Sequence, residues 1–315
     1  MPDFTLRQMG YFKAVAEAGS ISAAANLLHV SPTALSAAIT ELERILGSQL
    51  LIRRKAHGVS LTPTGSFVYN RAAEILDLAD EMQLSAASGG ARLKGPLVIG
   101  CYFSLAPRIL PALLEGFGAI HPDVDIVFVE SSQDEVQRRL MAGELDVAIV
   151  YDVDLGAGLL SAELYDTYGQ VLLPAAHRLA DRETVTLAEL EDDPLVLLDS
   201  TPSSQYTLSL FRDASVDPTI RYRVADYELA RSLVGRNMGY SIIVQVPAAR
   251  VSVEGRTFLV KPIMPAVRPV SVKVVWPRGV RLSDRAKAMI DFAVSVYRPD
   301  GIGGGITTVG DSRST

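Results

Sequence analysis

The residues able to do chemistry in this chain are mostly hydroxyls, and their spacing suits holding a partner more than transforming one. Four histidines, His29, His57, His121 and His177, are scattered with no pair at metal-ligand spacing. The single cysteine, Cys101, has no second thiol to resolve it, so a small buried hydrophobe is the favoured reading and a redox sensor the competing one. Neither a Gly-x-Ser-x-Gly elbow nor a phosphate-binding glycine loop occurs. Catalysis, a metal and a cofactor are therefore not expected. What does recur is Ser31, Thr33, Ser36 and Thr40, followed by the cations Arg53, Arg54 and Lys55. Hydroxyls that can reach base edges, beside cations that can reach phosphates, point to duplex DNA.

The elements around these residues give them a scaffold. Two short apolar helices, Ser22–Leu28 and Pro32–Leu46, are separated only by His29-Val30-Ser31, the helix-turn-helix spacing. Ser31 can cap the second helix, and Pro32 fits its first position, where a missing N–H costs nothing. Leu35, Ile39, Leu42 and Leu46 form a buried stripe. Thr33, Ser36, Ala37 and Thr40 lie opposite and are small enough to let the backbone approach a groove. A first helix over Thr5–Ala18 should pack Leu6, Phe12, Val15 and Ala16 against this pair. Two β-prone segments, Gln49–Ile52 and Gly58–Leu61, bracket the basic turn as a wing, with its cations beside phosphates or in the minor groove. The DNA-contacting set is thus Ser31, Pro32, Thr33, Ser36, Ala37, Thr40, Arg53, Arg54 and Lys55.

Net charge is −6 over 315 residues, which looks wrong for such a role until it is divided. Residues 1–63 carry a net +2, so the basic excess is local and small. Binding should depend strongly on assembly. Hydrophobic residues at 48% and charged residues at 21% describe an ordinary globular chain. No membrane span and no signal peptide are expected, and a single cysteine fits a reducing cytoplasm.

The run Ala24-Ala25, Leu28, Ser31-Pro32-Thr33-Ala34-Leu35-Ser36, Ile39, Leu42-Glu43, Leu46-Gly47, Leu50-Leu51, Arg53, Leu61-Thr62 and Gly65 resembles the N-terminal signature of the LysR-type transcriptional regulators. Three departures stand out: Pro32 where that family often has Gln, Leu51 where Phe is usual, and Ala37 where a basic or polar residue is common. Recognition should therefore lean on hydroxyls, methyl contacts and DNA shape. Downstream, Val68, Ala72, Ile75, Ala79, Met82 and Ala86 repeat at 4-3-4-3-4, a coiled-coil seam on one long helix. The resemblance assigns that helix to dimerisation and implies a homodimer or dimer of dimers on pseudo-palindromic promoter DNA. RNA polymerase is a further candidate partner.

Residues 96–298 alternate strands and helices, so a parallel sheet covered on both faces is expected. The resemblance implies the two-lobed fold of periplasmic solute-binding proteins. The reading as a whole is an α+β multidomain chain. It places a winged helix-turn-helix at 1–63, a linker helix at 64–90 and an α/β effector-binding domain at 91–298. Lobe 1 takes about 96–164 and 270–298, lobe 2 about 168–263, with crossovers near Leu164–Tyr168 and Ile263–Val270. A disordered tail is expected over 299–315. Ligands gather beyond the carboxyl ends of strands, which selects loops holding Tyr102, Ser104, Gln133, Ser200, Thr201, Pro202, Tyr227 and Met238. By resemblance, Ser104 and Gln133 hold a small-molecule effector from one lobe and Ser200 to Pro202 from the other. Hydroxyl-rich loops favour a small organic acid. The rival readings are a solute-binding protein without a regulatory role and a redox-responsive regulator acting through Cys101.

Overall fold

Thr5 starts the first helix with a reciprocal cap: Gln8 donates its backbone N–H to Thr5 Oγ1 at 3.2 Å, and Thr5 donates its own to Gln8 Oε1 at 2.8 Å. In the computed structural model, which describes residues 3–54, 58–88 and 92–297, helix α1 then runs Leu6–Ala18. Helix α2 (Ile21–Leu27) is capped by Ser20. Helix α3 (Pro32–Leu46) begins where Ala34 donates to Ser31 Oγ at 3.1 Å, and it ends at Gly47, whose φ of 63° closes the last turn. Leu35, Ile39 and Leu42 are buried among Phe12, Val15, Ala24, Ala25, Leu50 and Leu51. Leu6 departs from expectation, being 47% exposed. It stands in the first turn of α1, and Met9, three residues on, takes the inward position.

Strands β1 (Leu51–Arg54) and β2 (Gly58–Leu61) form the antiparallel wing. Lys55 lies outside the described residues, as does the side chain of Arg54. The wing leads into α4 (Pro63–Ser88), and Gly65 explains the tight entry, since a Cβ there would stand 2.0 Å from the Leu50 carbonyl oxygen.

The expected seam on α4 needs correcting at its start. Ala72 is buried within the protomer and so unavailable to a second copy, and Val68 is partly covered by packing on the DNA-binding core. The exposed apolar residues are Phe67, Ile75, Leu78 and Met82, and Ala79 is partly covered. A strict 4-3-4 count missed Phe67 and Leu78 because it let one stripe serve both α1 and a partner. Ala86 belongs to the side chains outside the described set, and so do residues 89–91 and 298–315.

The remaining chain builds two lobes. The first holds β3 (Gly95–Tyr102), α5 (Ala106–Ile120), β4 (Val124–Ser131), α6 (Gln133–Met141), β5 (Val147–Tyr151), β6 (Leu159–Tyr168), and then β12 (Pro269–Pro277) and α9 (Asp284–Tyr297) from the chain's end. Its sheet order is β4-β3-β5-β12-β6. The expected parallel pairing holds for β3, β4 and β5, and β12, returning from the chain's end, joins antiparallel between β5 and β6. Strand β6 escaped sequence reading because it is an edge strand. It alternates exposed positions such as Glu163 and Asp166 with partly covered ones, so it shows no apolar run.

The second lobe holds β7 (Gln170–Pro174), β8 (Leu195–Leu198), α7 (Ser203–Asp213), β9 (Ile220–Val224), α8 (Tyr227–Gly235), β10 (Ser241–Ile243) and β11 (Phe258–Pro262). Strands β10-β7-β11 form an antiparallel sheet, and β8 pairs parallel with β9. The chain crosses between lobes at Gly169 and again over 263–268. One continuous core runs through both crossings, joining Ile99 and Tyr151 of the first lobe to Leu173, Phe211 and Tyr240 of the second.

Candidate functional site

Two places gather the polar side chains that the sequence singles out. The first is the outer face of α3. Pro32, Thr33, Ala37 and Thr40 are exposed there and Ser36 is partly covered. Sequence reasoning placed Arg53 in the wing, as β1 has it, and its side chain folds back onto this face. Its Nη1 donates to Ser36 Oγ at 2.9 Å and its Nη2 to Thr40 Oγ1 at 3.2 Å. The reason is a ladder of acceptors one turn apart, extended by Glu43, whose carboxylate stands 3.9 Å from Nη2. Glu43 in turn accepts the N–H groups of Leu50 at 2.8 Å and Leu51 at 3.1 Å, which fixes the root of the wing to α3. Thr40 donates its own proton to the Ser36 carbonyl at 2.9 Å.

The second place is a narrow cleft between the lobes whose free space, about 20 Å³, is of the order of one water as the lobes stand. Tyr102 ends β3 in one lobe, and its hydroxyl lies 3.0 Å from Ser200 Oγ and 3.1 Å from Ser203 Oγ at the start of α7 in the other. Ser104, Pro202 and Tyr227 line the cavity as expected positions. Ser203, in the same loop as Ser200 to Pro202, also lines it, as do Tyr151, Thr207 and Gln245, which the sequence did not single out. Tyr151 was findable, since it ends the apolar strand β5 on the same carboxyl side as Tyr102. Gln245 follows an antiparallel strand, where that rule gives no signal.

The cavity wall is a network of neutral groups. Gln245 Nε2 donates to Tyr151 Oη at 3.0 Å, and Tyr227 donates its hydroxyl to the Gln245 carbonyl. Burial pushes the Tyr151 phenol well above its ordinary range and the Tyr227 phenol up to about 12, so both stay protonated at neutral pH. The buried Ser104 hydroxyl stands by Tyr151 without a well-formed hydrogen bond. No Lys, Arg, Asp or Glu is among the lining residues.

Five expected contacts are not in the lining: Tyr102 and Ser200, which bond to each other beside it, and Gln133, Thr201 and Met238. Gln133 is wholly buried, and its amide accepts from Tyr151 N–H at 2.9 Å and donates to the carbonyls of Tyr151 at 3.2 Å and Val153 at 2.6 Å. Every one of those bonds goes to backbone, so Gln133 shapes the wall and does not face the cavity. Met238 sits in the turn after α8, donating its N–H to the Leu233 carbonyl at 3.1 Å, and neither it nor Thr201 lines the space.

Comparison with known proteins gives the family of both parts of the chain. The family pattern described as bacterial regulatory helix-turn-helix protein, lysR family, matches residues 6–66, and that described as LysR substrate binding domain matches residues 90–298. The nitrogen assimilation regulatory protein nac of Klebsiella aerogenes is 31% identical over 256 residues, 81% of this chain and 77% of that protein. A probable hydrogen peroxide-inducible genes activator of Mycobacterium leprae is 30% identical, over 80% of this chain and 81% of its own. Among solved structures, the C-terminal domain of a probable LysR family transcriptional regulator from Rhodococcus sp. RHA1 is 40% identical. It spans 64% of this chain and 99% of its own, with a TM-score of 0.63. A DNA-binding helix-turn-helix joined to a two-lobed ligand domain, matched over nearly the whole described chain, makes this protein a LysR-type transcriptional regulator.

Proposed function

We propose that the chain works as a homo-oligomer presenting pairs of α3 helices to the half-sites of a pseudo-palindromic promoter, and that a small organic acid held between the lobes sets their arrangement. The exposed stripe Phe67, Ile75, Leu78 and Met82 supports association through α4. Its action is binding, not catalysis, and its place is the cytoplasm with the DNA it reads. RNA polymerase is a partner that an activator of this design would touch.

One observation carries the effector reading. The cleft is lined by Ser104 and Tyr151 of one lobe and by Ser203, Thr207 and Gln245 of the other, so anything bound there bears on both lobes at once, and Tyr102 bonds to Ser200 and Ser203 beside it. A ligand controls the protein only through unequal affinity for the two arrangements of the lobes. With no cation in the lining, a carboxylate would be met by the Ser104, Ser203 and Thr207 hydroxyls and the uncapped first turn of α7. That favours a monocarboxylate with an apolar or aromatic body over a polyanion. A thermal-shift screen of aliphatic, aromatic and amino acids on the full chain tests this, because a ligand of the native state raises its melting temperature. A rise given only by di- and tricarboxylates contradicts the assignment. Cys101 offers the redox reading little: it is fully buried, and burial pushes its thiol well up, away from the reactive thiolate.

A further inference from the structure

The guanidinium of Arg53 carries five N–H donors in a rigid fork. One donor from each terminal nitrogen reaches Ser36 and Thr40, Nη2 also stands 3.9 Å from Glu43, and the other three donors make no hydrogen bond among the described residues. The side chain is 42% exposed and lies along the face of α3 that presents Thr33, Ala37 and Thr40. Beside it Ala37 ends at a methyl group, and Arg44, one turn beyond Thr40 on the same face, is engaged by Glu41. The hydroxyls beneath Arg53 are poor readers themselves. Thr40 already donates its only proton to the Ser36 carbonyl, and both hydroxyl oxygens accept from Arg53. They act as a cradle.

We propose that Arg53 reads a guanine edge in the major groove from the surface of α3, supplying the two-donor base contact that Ala37 does not. Guanine offers two acceptors, O6 and N7, matched to such a fork. A phosphate would also match it, but Glu43 stands 3.9 Å from Nη2 and offsets part of the positive charge. That weakens a charge-driven phosphate contact while leaving the directional N–H groups in place. The proposal rests on the DNA-binding reading of α3.

The test is selection of binding sites from a duplex library of random sequence, run with the full wild-type chain and with Arg53→Lys. Lysine keeps the charge and loses the fork. The wild type is expected to enrich a half-site with one fixed G·C pair that Arg53→Lys no longer requires. On that half-site, changing the pair to A·T should weaken the wild type roughly fivefold or more and leave Arg53→Lys nearly indifferent. Thr40→Val, which removes half of the cradle and no charge, should soften the same preference. An identical consensus from wild type and Arg53→Lys overturns the proposal and leaves Arg53 a phosphate contact or a strap between wing and helix. Loss of all enrichment by Arg53→Lys, with its melting temperature unchanged, also overturns it, because one base contact cannot carry the whole affinity. No enrichment by the wild type overturns the DNA-binding reading itself.

Discussion

The hydroxyl of Tyr102 and that of Ser200 lie 3.0 Å apart although 98 residues separate them in the chain and each belongs to a different lobe. Tyr102 is fully buried, so its polar end needs this partner. Tyr102→Phe should destabilise the protein by about 1–3 kcal/mol, since two hydrogen bonds are lost at roughly 0.5–1.5 kcal/mol each. Urea unfolding of Tyr102→Phe, Ser200→Ala and the double variant measures the coupling directly. Strictly additive effects would show that the two hydroxyls do not act together.

Gln133 gives a sharper contrast between shaping the cavity and touching a ligand. Gln133→Leu strands the Tyr151 N–H and the Val153 carbonyl, which its amide otherwise satisfies. A cost of about 1–3 kcal/mol per stranded group is expected, visible as a lower melting temperature before any ligand is added. An unchanged melting temperature with weakened ligand binding would make Gln133 a ligand contact after all.

His177 predicts a pH dependence. Leu179 donates its N–H to Nδ1 at 3.2 Å, so the neutral ring carries its proton on Nε2, which points at Asp193 from 3.3 Å. Burial lowers the pKa below 6.5, with Asp193 opposing and Arg178 assisting. The unfolded chain therefore takes up this proton first. His177 contributes stability above about pH 6.5, and that contribution is lost as pH falls through the lower folded value. Urea midpoints at pH 7.5 and 5.5 should drop more for the wild type than for His177→Gln, and equal drops contradict the assignment.

Cys101 should be inert. With its thiol buried and pushed up by desolvation, Cys101→Ala is expected to bind DNA as the wild type does, before and after treatment with hydrogen peroxide. A peroxide response present in the wild type and absent from Cys101→Ala would restore the redox reading.

The sequence was most readable where one local rule sufficed. Ser31, Pro32 and the Leu35, Ile39 and Leu42 stripe defined α3 to its observed ends, because cap, proline and period agree. Strand β5 was legible as a buried apolar run, whereas β6 and β11 were not, since both are edge strands. The candidate cavity was half legible. Ser104, Pro202 and Tyr227 follow from the rule of strand ends and helix starts, but Gln245 depends on an antiparallel pairing that no local pattern encodes. Arg53 was read as a wing cation, which its place in β1 matches, but its bonds onto α3 were not legible, because they go to acceptors 13 and 17 residues away.

The central claim is that α3 reads DNA, and an electrophoretic shift on the DNA upstream of the chain's own coding region tests it most directly. The wild type should retard that fragment. Ser36→Tyr, which puts a ring where the groove must approach and displaces the Arg53 contact, should fail to do so while melting at the wild-type temperature. Equal retardation by both proteins would contradict the account.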